Sequence, residues 1–498
     1  MDKIVFLLKN IKVFFKNKYF FLILILLIST YLRFANYPLK YGFDIDPARD
    51  ALIIGAGAKH FWFPLVGPKS GIGNFSFGPW YYYELILFKI VFPFTYSSWI
   101  FIGITSVLFV LVMYFIGVAL EGETFGLILA LISAISPEQI GPTTGLSNPN
   151  LIPLHMGLAV LVCIYYIKNK NLKNIWIFIW GLIVGIGINI HYEMVLILPL
   201  ILLAFFYQRS RKAIFDFFIF SFGLILTFIP LIVYNVMHKF IFIKYFLVFA
   251  ANRGQSNYIP NSWTIYLKDF WLTFLSMLFG VPKIVTLFLI ILTFIVFLIS
   301  IFKKQLKAPL IILLLAFIFD FIFLRYFLSD RQLYYFLFIH PFLFIFLGYT
   351  FYYFSKIKYV WILLIIFFIS IIPSVITQDF LRIAPRADQI KFRNEAFILE
   401  NNFNKSKLSI YGCSKSNLFR PYSIVFFLNS DKRLGNNGKV ILLLDSNCNE
   451  SDLTKAEINY TKINKISAVE INRSELNKLP KKLFISITPV SVYNKNIL

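Results

Sequence analysis

The chain has 498 residues, of which 59% are hydrophobic and 14% charged, with a net charge of +24 and a mean hydropathy of +0.75. A soluble protein is about 45–50% apolar and about 25% charged, so this composition excludes an ordinary soluble enzyme and leaves a polytopic membrane protein. The excess of Lys and Arg accompanies no nucleic-acid motif; it sits at span ends and in the C-terminal tail, where it snorkels and sets topology.

Apolar runs of helical length predict spans near 19–36, 97–120, 124–137, 151–168, 174–190, 193–207, 213–236, 284–302, 308–328, 332–354 and 359–376. Segments 80–94 and 263–280 are apolar enough either to cross or to lie in the interface, which gives about eleven to thirteen spans. The first run, Tyr19 to Ile28, continues through Ser29-Thr30-Tyr31-Leu32-Arg33 without a small-x-small site and reads as a retained signal anchor. Lys3, Lys9, Lys12, Lys16 and Lys18 precede it and predict a cytoplasmic N-terminus. If 80–94 and 263–280 do not cross, the clusters at Lys168 to Lys173, Arg209 to Lys212, Lys303 to Lys307 and Lys356 to Lys358 all fall inside; the acidic Glu121-Gly122-Glu123 falls there too. The outside then holds residues 37–96, 138–150, His191-Tyr192-Glu193, 237–283, Ser329-Asp330-Arg331 and the tail from Gln378.

The first outside loop carries Gly42-Phe43-Asp44-Ile45-Asp46-Pro47-Ala48-Arg49-Asp50, three carboxylates in a chain poor in them. Asp46 followed by Pro47 has the pattern of a helix cap with Pro at the first helical position, which would make Asp46 a backbone acceptor only. Asp44 and Asp50 exceed what one cap needs. Asp46 and Asp50, four apart, lie near one another at the helix start with Arg49 alongside, so the group can act as general base or hold a divalent cation. Downstream, Leu65-Val66-Gly67-Pro68-Lys69-Ser70-Gly71-Ile72-Gly73-Asn74 and Phe77-Gly78-Pro79-Trp80-Tyr81-Tyr82-Tyr83 break the helix and bring aromatics to the interface. Tyr81 and Tyr82 are either an aromatic belt or a lipid- or sugar-binding surface. The next outside loop offers Glu138, Asn148 and Asn150 with Pro153 and His155 behind them, to bind a sugar, complete a cation site or simply start a helix. His191 with Glu193 ends another span, and Arg253, Arg325, Arg331, Arg382 and Arg386 are candidates to hold a phosphate.

Residues 1–377 form the membrane part and 378–498 a soluble domain rich in Lys, Asn and Ser. Strand-like runs at Lys407 to Tyr411, Ser423 to Leu428, Val440 to Leu444 and Leu483 to Thr488 predict a small α/β unit outside. Cys413 and Cys448 can pair there if the tail is extracytoplasmic, whereas Cys163 sits in a span as inert packing.

Together these residues resemble the GT-C glycosyltransferases that use lipid-phosphate sugars, in particular the bacterial relatives of protein O-mannosyltransferases and of the aminoarabinose transferase of lipid A. Asp46-Pro47-Ala48-Arg49 matches the Asp and Arg of that family's first-loop element, and Gly78-Pro79-Trp80-Tyr81-Tyr82 is similar to its Pro-aromatic element. Asn148-Pro149-Asn150 falls where many members carry a second acid, His191 where a His often ends a span, and Tyr334-Tyr335 with Pro341 resembles a late-span pattern. Pro47 replaces the usual second acid, and Asn replaces Asp in the second loop. The resemblance covers residues 15–376 and implies an all-α GT-C membrane fold. It also implies an inverting sugar transfer from a polyprenyl-phosphate donor to a hydroxyl of a lipid, glycan or protein acceptor at the outer face of the cell membrane. Catalysis would rest on Asp46 with Asp44 or Asp50. Arg49, Tyr81, Tyr82, Asn148, Asn150, His191 and Arg331 would contact substrate, and no cofactor is certain beyond an optional Mg or Mn ion on Asp46, Asp50 and Glu138. The competing readings are a polysaccharide polymerase or O-antigen ligase, whose functional loop is expected late in the chain, and a lipid or glycan transporter, for which Asp320 would be the mid-membrane charge.

Overall fold

The computed structural model describes residues 18–37, 41–70, 75–169, 171–251, 263–326 and 332–357, parts of 362–371, and most of 387–487. The described residues of the membrane part are mainly helical. Helices α1 (Lys18–Phe34), α4 (Ser97–Glu121) and α5 (Glu123–Ile135) pack as a group. Gly117 and Gly126 let α4 and α5 cross at contact distance, since a Cβ on Gly117 would lie 2.5 Å from the Gly126 Cα. Helices α6 (Ile152–Lys168), α7 (Asn174–Ile190), α8 (Leu198–Gln208) and α9 (Arg211–Leu226) form the second group around the buried Trp180, Tyr166 and Phe205. Helices α10 (Ile229–Met237), α11 (Ile241–Ala251), α12 (Leu272–Phe279), α13 (Lys283–Phe302), α14 (Ala308–Arg325) and α15 (His340–Ser355) complete the bundle. Large apolar side chains stand exposed along α9, α13 and α14, among them Phe218, Phe222, Phe294, Phe302 and Phe319, as expected of a lipid-facing surface.

Among the described residues, five helices are long and apolar enough to cross a membrane, or up to seven if each of two bent pairs is one span, with three shorter apolar helices besides. These ten segments match the first ten predicted spans one for one; the eleventh, 359–376, lies largely outside the described residues. The bends have sequence causes. Helix α5 stops at Ser136-Pro137 and resumes at 72°, and α9 gives way to α10 at 53°, just ahead of Pro230. The two ambiguous segments are short. Helix α3 (Trp80–Val91) has 12 residues, about 18 Å against a hydrocarbon core of about 30 Å, too short to cross as a straight helix. Residues Ile265–Trp271 form a π-helical stretch running into α12.

The C-terminal domain is α/β. Its mixed sheet has the order β3-β4-β2-β1-β5, from β1 (Leu408–Cys413), β2 (Lys439–Leu443), β3 (Tyr460–Lys462), β4 (Ala468–Ile471) and β5 (Phe484–Ser486), with β1 and β2 parallel and every other pair antiparallel. Helices α16 (Ala387–Asn402) and α17 (Phe419–Ser430) pack together beside it, and α18 (Glu450–Lys455) follows β2. Cys413 and Cys448 are disulfide-bonded. The run Ser423 to Leu428, expected as a strand, is helix. It is buried along its whole length, between its own domain and the membrane part, so its apolar residues show no period by which strand and helix could be told apart. Strands β3 and β4 carry too weak a pattern to be expected from sequence, because both are short and interrupted by charge.

Candidate active site

Helix α2 (Ile45–His60) starts at the acidic loop, and its cap is Asp44, whose carboxylate accepts from the Ile45 N–H at 2.7 Å. The sequence pattern puts the cap at Asp46 with Pro47 first in the helix; the helix begins two residues earlier, and Pro47 still falls inside the first turn where no N–H partner is lost. Asp46 is thereby released from capping. Its side chain is 64% exposed and takes a 2.6 Å bond from Arg49 Nη1.

Behind it the site is closed. Arg49 Nε donates to Asp50 Oδ1 at 2.8 Å, and the Tyr82 hydroxyl of α3 donates to the same oxygen at 2.8 Å. Arg49 and Asp50 are both buried. Burial pushes the Asp50 carboxyl up while Arg49 and Tyr82 oppose the rise. For Arg49, burial works to lower the pKa, but the charge of Asp50, with Tyr82 and Asp46, overrules it, so the guanidinium stays cationic. Arg49 thus bridges an inner carboxylate that fixes it and an outer one that faces solvent. Tyr81, one residue before Tyr82, is completely buried and packs against it at 5.3 Å between ring centroids.

The loop before α3 folds back as a narrow hairpin: Gly67 N–H to the Phe77 carbonyl, Phe77 N–H to Pro68, Ser70 N–H to Phe75. Gly78 then donates to the Asn189 carbonyl of α7, and a Cβ at Gly78 would lie 1.9 Å from Asn189 Oδ1, so only glycine allows the approach. Trp80 Nε1 donates to the Thr227 carbonyl at the α9–α10 bend. These contacts fix the start of α3 and so the Tyr82 hydroxyl.

The remaining candidates separate. His191 stacks between Phe77 (4.7 Å) and Tyr335 (5.6 Å) and faces Glu193. Asn148 donates to the Ile190 carbonyl and Asn150 to those of Pro142 and Gly145, so both amides brace their loop. Glu138 lines a small recess with Thr105, Ser106, Thr143 and Asn150 at the break after α5. Arg331, with Arg253, Arg382 and Arg386, lies outside the described residues; Arg325 is buried against the rings of Trp263 and Tyr326. The structure does not bring Asp46, Asp50 and Glu138 together at ligand distance from one another. Arg49 already stands between the two aspartates, and among the described residues the one His/Cys/Asp/Glu trio close enough to hold a metal is Cys413, Asp445 and Cys448, whose cysteines are bridged to each other.

Two features go beyond what the sequence pattern predicts. Glu84 of α3 pairs with His155 Nε2 of α6 at 2.9 Å, for which the one available signal is a carboxylate and an imidazole standing alone in apolar helices. The acidic loop is also pinned from beneath: the Gly42 N–H donates to the Thr144 carbonyl, Trp99 Nε1 to the Gly42 carbonyl at 3.1 Å, and the Tyr37 hydroxyl to the Thr143 carbonyl at 2.8 Å. Asp320, the transporter candidate, is fully buried in α14.

The bundle, the acidic loop at the head of α2 and the small α/β domain define a polytopic membrane protein of the GT-C fold. In particular, the chain is similar to ArnT from Cupriavidus metallidurans, solved with undecaprenyl phosphate, at a TM-score of 0.62 and 8% identity over 91% of this chain and 98% of that one. It is also similar to the oligosaccharyltransferase of Archaeoglobus fulgidus, solved with Zn and sulfate (TM-score 0.51, 15% identity, 77% of this chain) and tethered to an acceptor peptide (TM-score 0.53, 15% identity, 83% of this chain). Of the archaeal chain it spans 56% and 64% in the two structures. No protein-family model and no curated protein matches the sequence.

Proposed function

We propose that this protein is a membrane glycosyltransferase that moves a sugar from a polyprenyl-phosphate donor to an acceptor hydroxyl at the outer face of the cell membrane. The observation that carries the reading is the division of labour at α2: Asp46 is exposed, while Arg49 and Asp50 behind it are sealed and mutually bonded. A base must reach its acceptor, and its orientation must be set by groups that do not. The GT-C fold shared with a protein solved with undecaprenyl phosphate supports the class of donor.

In this reading Asp46 takes the proton of the acceptor hydroxyl as its oxygen attacks the anomeric carbon. The new C–O bond forms as the bond to the phosphate oxygen breaks, its electron pair leaves with polyprenyl phosphate, and the sugar is inverted. Arg49 holds Asp46 in place from behind. Asp50 and Tyr82 position Arg49 and do not touch substrate. The disulfide of the C-terminal domain supports an extracytoplasmic tail, because such bonds persist in oxidising compartments. The test is to incubate the purified protein with a panel of polyprenyl-phosphate sugars and follow release of polyprenyl phosphate. At least one donor is expected to turn over; no release from any donor, with or without added acceptor alcohols, contradicts the proposal.

A further inference from the structure

We infer that the C-terminal domain is a working part of the acid site: α17 clamps the loop that starts α2, and Phe426 and Phe427 are positioning residues for Asp46. The inference rests on the reading of Asp46 as the base, and it extends that reading to residues nearly 400 positions away in the chain.

The contact is aromatic and direct. Phe43, the residue before the cap Asp44, is 4% exposed and stacks with Trp99 of α4 at 5.8 Å. From the other side it meets Phe426 at 5.1 Å and Phe427 at 5.3 Å, and Phe426 also reaches Trp99 at 5.6 Å and Tyr96 at 6.5 Å. Helix α17 lies along α2 as well as along its own domain. Phe43 is therefore held between a ring of the membrane part and two rings of the tail, three residues ahead of Asp46.

Helix α17 is itself anchored. Arg420 in its first turn pairs with Glu395 of α16 at 2.7 Å and donates to the carbonyls of Leu444 and Ser467 beside the sheet. Burial raises the Tyr41 hydroxyl pKa and Tyr96 adds to the rise, while Arg393 on α16 opposes it, which puts a tail cation at the same corner. The chain of contacts runs from the sheet through Arg420 to Phe426 and Phe427, then through Phe43 to the Asp44 cap and the first turn of α2. Tail packing alone would be satisfied by any apolar pair on α17. What points to a positioning role is that the packed residue on the other side is the neighbour of the cap, and that its loop is fixed from below by Trp99 and Thr144 as well.

The test uses the full chain with Phe426→Ala/Phe427→Ala, the volume-retaining Phe426→Leu/Phe427→Leu, and Phe43→Ala, which removes the same contact and leaves the tail untouched. Hydrogen exchange of residues 44–52 is read beside donor turnover. The alanine pair is expected to speed exchange there while α4 stays protected. It should also lower turnover by about 100-fold with the donor KM near its original value, the cost of displacing a reacting group by about 1 Å. The leucine pair should recover most of both, and Phe43→Ala should shift both in the same direction as the alanine pair. Unchanged exchange at 44–52 in the alanine pair overturns the clamp, whatever the enzyme does. Faster exchange in a protein whose original form turns over no donor would overturn the transferase reading and leave the clamp standing.

Discussion

Arg49→Met removes the guanidinium between Asp46 and Asp50 while keeping most of the side chain's bulk. Asp50 is then left 1% exposed with the Tyr82 hydroxyl still donating to it. Breaking a buried ion pair by deleting one partner costs about 3–5 kcal/mol, most of it the penalty of the charge left behind. The cost depends on pH in a definite sense. Burial already raises the Asp50 carboxyl, and Arg49 is the main force holding it down. Without Arg49 the native pKa climbs further above the unfolded one. A carboxyl whose pKa is raised by folding contributes stability that is complete below its unfolded pKa and is lost as pH rises through the native one. Each tenfold change in proton affinity is worth about 1.4 kcal/mol. The deficit of Arg49→Met should therefore be larger at pH 8 than at pH 5, and Arg49→Met/Asp50→Leu should recover much of it by removing the stranded charge. Chemical unfolding in detergent at the two pH values measures this. A deficit under about 1 kcal/mol, or one independent of pH, refutes a sealed Arg49–Asp50 pair.

Tyr82→Phe deletes one hydrogen bond to Asp50 and should cost about 1.5–3 kcal/mol, read by the same unfolding assay, while lowering turnover through Arg49. Gly78→Ala drives a methyl into Asn189, so it should slow turnover and loosen the 67–78 hairpin, which limited proteolysis would report as new cleavage. Asp44→Ala removes a cap and should cost about 1 kcal/mol without eliminating turnover, in contrast to changes at Asp46. Reducing the Cys413–Cys448 bridge, or replacing both cysteines by Ser, frees a loop of 35 residues and should destabilise the C-terminal domain by about 4 kcal/mol in unfolding experiments.

Much of this architecture can be read from residue pattern because the membrane restricts the choices. Ten apolar helical segments are recognisable from apolar length alone, five to seven of them long enough to cross a membrane, and Pro137 and Pro230 stand at the two bends. Around the site, carboxylates so near lipid are conspicuous, but their division of labour is hidden. Asp44 and Asp46 are equally good caps as letters, and which one caps depends on where the chain turns helical, which the local pattern does not show. That Asp50 is buried, with the Tyr82 hydroxyl from 32 residues on donating to it, has no signal in the sequence. Asn148 and Asn150 resemble sugar ligands because side-chain amides suit both uses; their donors meet carbonyls within the protein. The run Ser423 to Leu428 reads as a strand because a segment buried along its whole length carries no periodicity. Contacts between distant apolar residues, such as Phe43 with Phe426, have no local signature at all.

The central claim is that Asp46 is the base of a sugar transfer, and Asp46→Asn tests it most directly, since the change keeps the side chain's size and removes the negative charge, and with it the capacity to take a proton. The measurement is release of polyprenyl phosphate from a donor that the unaltered protein accepts, made on both proteins at equal, correctly folded concentration. The account predicts that release falls to background in Asp46→Asn while Asp44→Asn keeps a measurable rate. Turnover by Asp46→Asn near the original rate would contradict it.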